Sequence, residues 1–101
     1  MSKLQYLHEA ASELADAHQY YESCRHGLGF ELLDEVDAAL AFIRTDPQRF
    51  GRYRNMQVRI CLLRRFPYGV YYLPGDDIIW IVAVGHHRRR PGYWKKRLAA
   101  E

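Results

Sequence analysis

Cysteine is scarce. The 101-residue chain holds two, Cys24 and Cys61, with no CxxC spacing. That excludes a disulfide framework and a cysteine-built zinc site, and leaves two reduced thiols expected in the core. Long apolar runs are also missing: the longest, Ile78 to Val84, spans seven residues, against the ~20 a membrane helix needs. With no basic-then-apolar leader either, the expectation is a cytoplasmic protein with no membrane role. No glycine-rich loop cradles a phosphate and no serine-histidine-acid set stands out, so nucleotide hydrolysis and acyl transfer find no support. His8, His18, Cys24 and His26 lie near one another in sequence, but only Cys24 and His26 are close, and a spacing of two points them apart on a helix. No metal and no cofactor is expected.

Acidic residues are nearly absent from the second half of the chain. Residues 1–48 carry 3 Lys/Arg and 9 Asp/Glu, a net −6, whereas residues 49–101 carry 12 and 3, a net +9. One molecule of this size holds one core, so residues 1–101 read as a single domain with an acidic and a basic surface. The basic surface steers anionic partners.

The periodicities are clear. Lys3 to Leu7 alternates polar and apolar as a short strand. From Glu9 to His26, Ala11, Leu14, Ala15, His18 and Tyr21 recur at helical spacing, and Gly27 suits the left-handed residue that closes such a helix. A second helix follows Gly29. It carries Leu33, Val36, Leu40 and Ile43 on one stripe and Leu32, Ala39 and Phe42 beside it. Glu31, Asp34, Glu35 and Asp37 sit in its first turns, where the helix dipole favours them, and it stops at Asp46-Pro47. Three strands come next: Val58–Arg65, Tyr68–Leu73 and, past the turn Pro74-Gly75-Asp76-Asp77, Ile78–Val84. The last is continuously apolar, as a strand buried on both faces is. The fold class is α+β, in the order β-α-α-β-β-β: a small, antiparallel-rich twisted sheet with a helical hairpin on one face.

Directly after that strand comes His86-His87-Arg88-Arg89-Arg90-Pro91-Gly92-Tyr93-Trp94. RNA cleavage through the 2′-hydroxyl needs a base, an acid and a cation over the phosphoryl group, for which histidine, tyrosine and arginine are suited. The same residues also make a solvated basic binding surface, and a run of arginine binds without cutting. Arg52, Arg54, Arg59, Arg64 and Arg65 form a second basic set. Alternation puts Arg59 and Arg65 on one strand face, where they line a groove with Arg88, Arg89 and Arg90 if the strands are neighbours, or simply keep an exposed sheet soluble. Trp80 and the inward tyrosines belong to the core. Tyr93 and Trp94, beyond Pro91-Gly92, either stack on a base or fold back over the sheet end.

The ordered set His18-Gln19-Tyr20-Tyr21-Glu22, Gly27-Leu28-Gly29, Asp46-Pro47, Val58-Arg59, Arg65-Phe66-Pro67-Tyr68 and His87 to Trp94 resembles the RelE/ParE superfamily of bacterial toxins. The resemblance spans nearly the whole chain. It implies a toxin of a type II toxin-antitoxin system that inhibits growth and is neutralised by a cognate antitoxin. An apolar groove beside the second helix, with Leu33, Val36, Leu40 and Arg59, is the expected antitoxin surface. The superfamily divides in two. The branch of ribosome-dependent mRNA endoribonucleases is matched at Arg59 and Tyr93, with His86 or His87 as acid or base, but Gly69 stands where that branch has an arginine. Phe66-Pro67-Tyr68 and the arginine-rich ending are more similar to the ParE branch, which poisons DNA gyrase without hydrolysis. That resemblance makes Arg64, Arg65, Arg88, Arg89, Arg90 and Trp94 the expected contacts to target or nucleic acid. The alternatives are ribosome and mRNA as partners, or a binding module of the same fold without toxicity.

Overall fold

The computed structural model describes residues 2–99. The elements are β1 (Lys3–Tyr6), α1 (His8–Cys24), α2 (Leu28–Thr45), β2 (Arg59–Leu62), β3 (Tyr68–Pro74), β4 (Ile78–His86) and α3 (Lys95–Ala99). The four strands form one sheet in the order β1-β4-β3-β2. Strand β1 runs parallel to β4, and the other two pairings are antiparallel. The α+β order expected from the sequence is the one observed.

The helical hairpin covers one face of this sheet because α2 shows it an apolar stripe. Leu32, Val36, Ala39 and Ile43 recur at helical spacing and are buried against Cys61, Val70, Tyr72, Ile79, Ile81 and Val84. Burying each aliphatic side chain of that kind stabilises the fold by about 1.5–3 kcal/mol. On α1, small residues face inward: Ala10 and Ala17 are buried. Helices α1 and α2 approach closely enough at Gly29 that a Cβ there would lie 2.5 Å from the His18 carbonyl oxygen.

The opposite face of the sheet is covered too, by a segment the sequence does not announce as helical. Trp94 and Leu98 fold back from the chain end and pack with Val58, Val82, Ala83, Tyr53 and Tyr71. Central position in the sheet and cover on both sides explain why Ile81–Gly85 is buried throughout, as the continuous apolar run predicts. Between β3 and β4 the register slips: Tyr71 pairs with Ala83 and Tyr72 with Ile81. Val82 is therefore the extra residue of a bulge, and both Val82 and Ala83 reach the second core.

Several boundaries differ from the sequence reading for local reasons. Helix α1 ends at Cys24, and Gly27 (φ 88°) precedes α2 instead of closing α1. The Glu22 carboxylate then accepts the Gly27 and Gly29 amides at 2.8 and 3.0 Å, satisfying donors that a helix start leaves open. Strand β2 stops at Leu62, because Arg64 and Arg65 turn away and give their amides to the Glu35 carboxylate on α2. Cys24 is exposed and only Cys61 is buried, so the expectation of two core thiols holds for one. Trp80 is half-exposed at the edge of the second core, beside Leu7, Leu73 and Leu98. No helix of the described residues is long and apolar enough to cross a membrane.

Candidate functional site

Strand β1 ends before β4 does. The Leu7 amide donates to the Ile81 carbonyl at 2.9 Å, and beyond that point β4 has no strand on this side. Exposed backbone groups on a central strand must find other partners. They find them in side chains: the Val84 amide donates to Glu13 Oε1 at 3.0 Å, and Arg97 Nη1 donates to the carbonyl of the bulge residue Val82 at 2.9 Å. Arg97 also grips Glu13 with both terminal nitrogens at 2.9 Å. The Tyr93 hydroxyl donates to Glu13 Oε2 at 2.7 Å. Burial pushes the Glu13 carboxyl up, but these bonds from Arg97, Tyr93 and Val84 outweigh it and hold the group below its ordinary range.

Tyr93 is seated by the absence of a side chain beneath it, at Gly85. Gly69 and Gly85 face each other across β3 and β4, and a Cβ on Gly85 would lie 2.5 Å from the Tyr93 oxygen. Burial, and after it the Glu13 hydrogen bond, raises the phenol above its ordinary value. A tyrosine held in this way gives up its proton less readily than a free one.

From this clasp the basic loop projects. His87 ties back through its amide to the Pro67 carbonyl at 2.8 Å. His86 Nδ1 accepts the Arg88 amide at 3.0 Å, and the ring stands edge-on to Tyr68 with centroids 5.1 Å apart. Arg89 lies over the Tyr93 ring, 3.9 Å from its centroid, with a nitrogen 3.8 Å from Glu13. Arg88 and Arg90 are exposed and, among the described residues, have no carboxylate partner. A hollow of about 350 Å³ beside the loop is lined by Glu13, Asp16, Tyr20, Tyr68, His86 and Arg89.

The remaining sequence-expected residues fall elsewhere. Arg59 lies on β2 opposite Tyr72, while His86 on β4 lies opposite Tyr68. Four residues along β3 and two ladder spacings separate them by about 16 Å. Arg59 is moreover occupied: Nη1 donates to the carbonyls of Phe50 (2.6 Å) and Gln48 (3.3 Å), and Nη2 to Gln48 Oε1 (2.6 Å), which ties down the loop before β2. Arg59 does not share a groove with Arg88–Arg90, since β3 intervenes between β2 and β4, and Arg65 lies beyond the end of β2. Arg65 pairs with Glu31 of α2 at 2.7 Å, while the Arg64 side chain is exposed. Trp94 is fully buried against Tyr53 and Tyr71, so of the two readings of its position it folds back over the sheet and offers no stacking face. At Gly69, a Cβ would already lie 3.0 Å from Ile60 Cδ1. A side chain at that position requires Ile60 and Leu62 to shift.

The α2 stripe is rotated from its expected role. Val36 is buried against the sheet, and Leu33 and Leu40 are half-buried. Leu33 lines a shallow groove with Tyr6, Leu14 and His18 of the first two elements. The apolar groove open to solvent lies on the other flank of α2, beside β2, where Phe42 and Leu62 are 54% and 58% exposed over Ala38, Ala39, Phe50 and Cys61. Glu13 and Arg97 escaped the sequence reading, and so did the partners of Glu31 and Glu35, which it placed only in the first turns of the second helix. No local pattern marks them, because their partners lie up to 84 residues away.

The family described as the ParE toxin of the type II toxin-antitoxin system parDE matches residues 4–91. The chain belongs to the ParE toxin family. Among solved structures it is similar to a chain of a chromosomal ParDE toxin-antitoxin system from P. aeruginosa, with TM-score 0.71 and 19% identity over 85% of this chain and 96% of that one. That likeness concerns the fold. No curated protein matches. The chain is thus a ParE-like type II toxin, and the matched residues include α1, α2, β2, β3, β4, β1 from Leu4 onward and the beginning of the basic loop up to Pro91, but not α3.

Proposed function

We propose that this toxin inhibits growth in the cytoplasm by binding DNA gyrase through its basic loop, without a hydrolytic step, and that a cognate antitoxin neutralises it. One observation carries the preference for binding over cutting: Arg59, the cation matched to the endoribonuclease branch, lies apart from His86 and Tyr93. Arg59 stands about 16 Å from His86 and is spent on loop carbonyls. Tyr93 is committed to Glu13 with its phenol raised. The hollow beside His86 also has Glu13 and Asp16 on its wall, which repel a phosphate. Exposed Arg88 and Arg90, on a loop anchored to the most buried strand, suit instead a grip on an anionic surface.

For the antitoxin, the groove between α2 and β2 is the favoured seat. It exposes Phe42 and Leu62 beside Arg49 and Arg64, so an amphipathic segment with an acidic polar face fits it. Residues 51–53 already cover part of the outer edge of β2, through bonds from Ile60 to Gly51 and from Tyr53 to Val58. Affinity there rests on side-chain burial more than on strand addition.

The deciding experiment sets purified toxin against two substrates. Inhibition of gyrase supercoiling with trapped double-strand breaks is expected, together with no cleavage of ribosome-bound message. Cleaved message with unaffected supercoiling overturns the proposal and favours the endoribonuclease reading. Absence of any growth defect on induction favours a non-toxic binding module.

A further inference from the structure

We infer that Glu13 is the positioning residue for the Arg88/Arg90 grip: one carboxylate on α1 clasps both ends of the basic loop and thereby fixes where its arginines point. This rests on the reading of that loop as the target-binding element. The loop follows β4, which ends at His86, and packs back on the sheet at Tyr93; Glu13 binds on both flanks of it, to the Val84 amide two residues before the strand end at 3.0 Å and to the Tyr93 hydroxyl at 2.7 Å. Arg97 adds a third tether, from α3 to the same carboxylate and to the Val82 carbonyl. The side chains of Glu13 and Arg97 are only 14% and 13% exposed, so water competes weakly for these bonds.

Within the clasp the three arginines are not equivalent. Arg89, although its side chain is 53% exposed, lies over the Tyr93 ring with a nitrogen 3.8 Å from Glu13. Its neighbours on either side are exposed without a carboxylate partner among the described residues. Turn hydrogen bonds from the Arg89 amide to the His86 carbonyl (3.0 Å) and from the Tyr93 amide to the Arg90 carbonyl (3.1 Å) brace the loop from within. A loop ordered before it meets its target loses less freedom on binding. Glu13 therefore raises target affinity without touching the target, and Arg89 is part of the brace while Arg88 and Arg90 make the contact.

The test compares E13Q and Y93F with R88E/R90E in the full chain. Growth inhibition at matched expression, gyrase inhibition, amide exchange of residues 86–90 and affinity for the co-encoded antitoxin are measured for each. E13Q is expected to weaken inhibition about tenfold and Y93F about threefold. Amide exchange of the loop accelerates in both, and antitoxin affinity stays within twofold because the α2/β2 groove lies at the other edge of the sheet. A purely structural role would lower antitoxin binding together with toxicity, whatever the change in thermal stability. Unchanged loop exchange and unchanged potency in Y93F, which deletes one hydroxyl and leaves the fold intact, overturns the inference even if E13Q fails to fold. If R88E/R90E retains full toxicity, the grip reading fails; the exchange data still decide whether Glu13 holds the loop.

Discussion

Replacing Trp94 by alanine separates a core residue from a target contact. Its side chain is fully buried, with ring centroids 5.1 Å from Tyr53 and 5.4 Å from Tyr71. Truncating a buried aromatic to alanine costs about 3–5 kcal/mol through lost transfer energy and the cavity left behind. A domain of this size has about 5–15 kcal/mol in all. At roughly 4–8 °C per kcal/mol, the melting temperature falls by at least about 12 °C. Trp94→Phe costs less, about 1–2 kcal/mol, because the indole nitrogen has no hydrogen-bond partner among the described residues and its removal relieves a buried polar group. Urea unfolding followed by far-UV circular dichroism reads both numbers, with the slope m unchanged so that the midpoint reports stability alone. A W94A protein that loses under about 1 kcal/mol while losing toxicity would refute the core assignment and restore Trp94 as a contact to the target.

Acid should weaken the clasp. The folded carboxyl of Glu13 sits below its ordinary value of 4.5, so its stabilisation is fully present above that value and is lost as pH falls through the folded one. The stability gap between wild type and E13Q therefore narrows from pH 7 to pH 3 in urea titrations, and a gap independent of pH contradicts the assignment. Leu62→Glu on the exposed flank of β2 should change stability by under about 0.5 kcal/mol and weaken antitoxin binding at least about tenfold, near 1.4 kcal/mol. Calorimetry showing full affinity would place the antitoxin elsewhere. Gly69→Arg, which restores the arginine of the endoribonuclease branch, displaces the Ile60 and Leu62 side chains and should confer no cleavage of ribosome-bound message, because Arg59 stays apart from His86. A cleaving variant would show that this separation does not prevent cutting.

What the sequence by itself determined is what depends on short-range periodicity. The apolar run from Ile78 to Val84 could be satisfied only by a central strand, and the two helical stripes and the strands after them set the α+β order, because the period of side-chain directions belongs to each element alone. The charge asymmetry between the halves was also legible, but not its use. In the folded chain, acidic groups of the first half meet basic groups of the second, Glu31 with Arg65 and Glu13 with Arg97, so that the two surfaces partly neutralise each other. Period shows that a face of α2 is apolar without showing which neighbour covers it; the sheet took Val36 and left Phe42 outside. Tertiary structure alone decided the site. Whether Arg59 is free turns on a loop 9 to 11 residues before it, while whether Trp94 is core or contact and which carboxylate closes the basic loop turn on partners far apart in the chain, up to 84 residues for Glu13 and Arg97. Such pairs form because β4 outruns β1 and leaves backbone groups that must be hydrogen-bonded. No local pattern records that need.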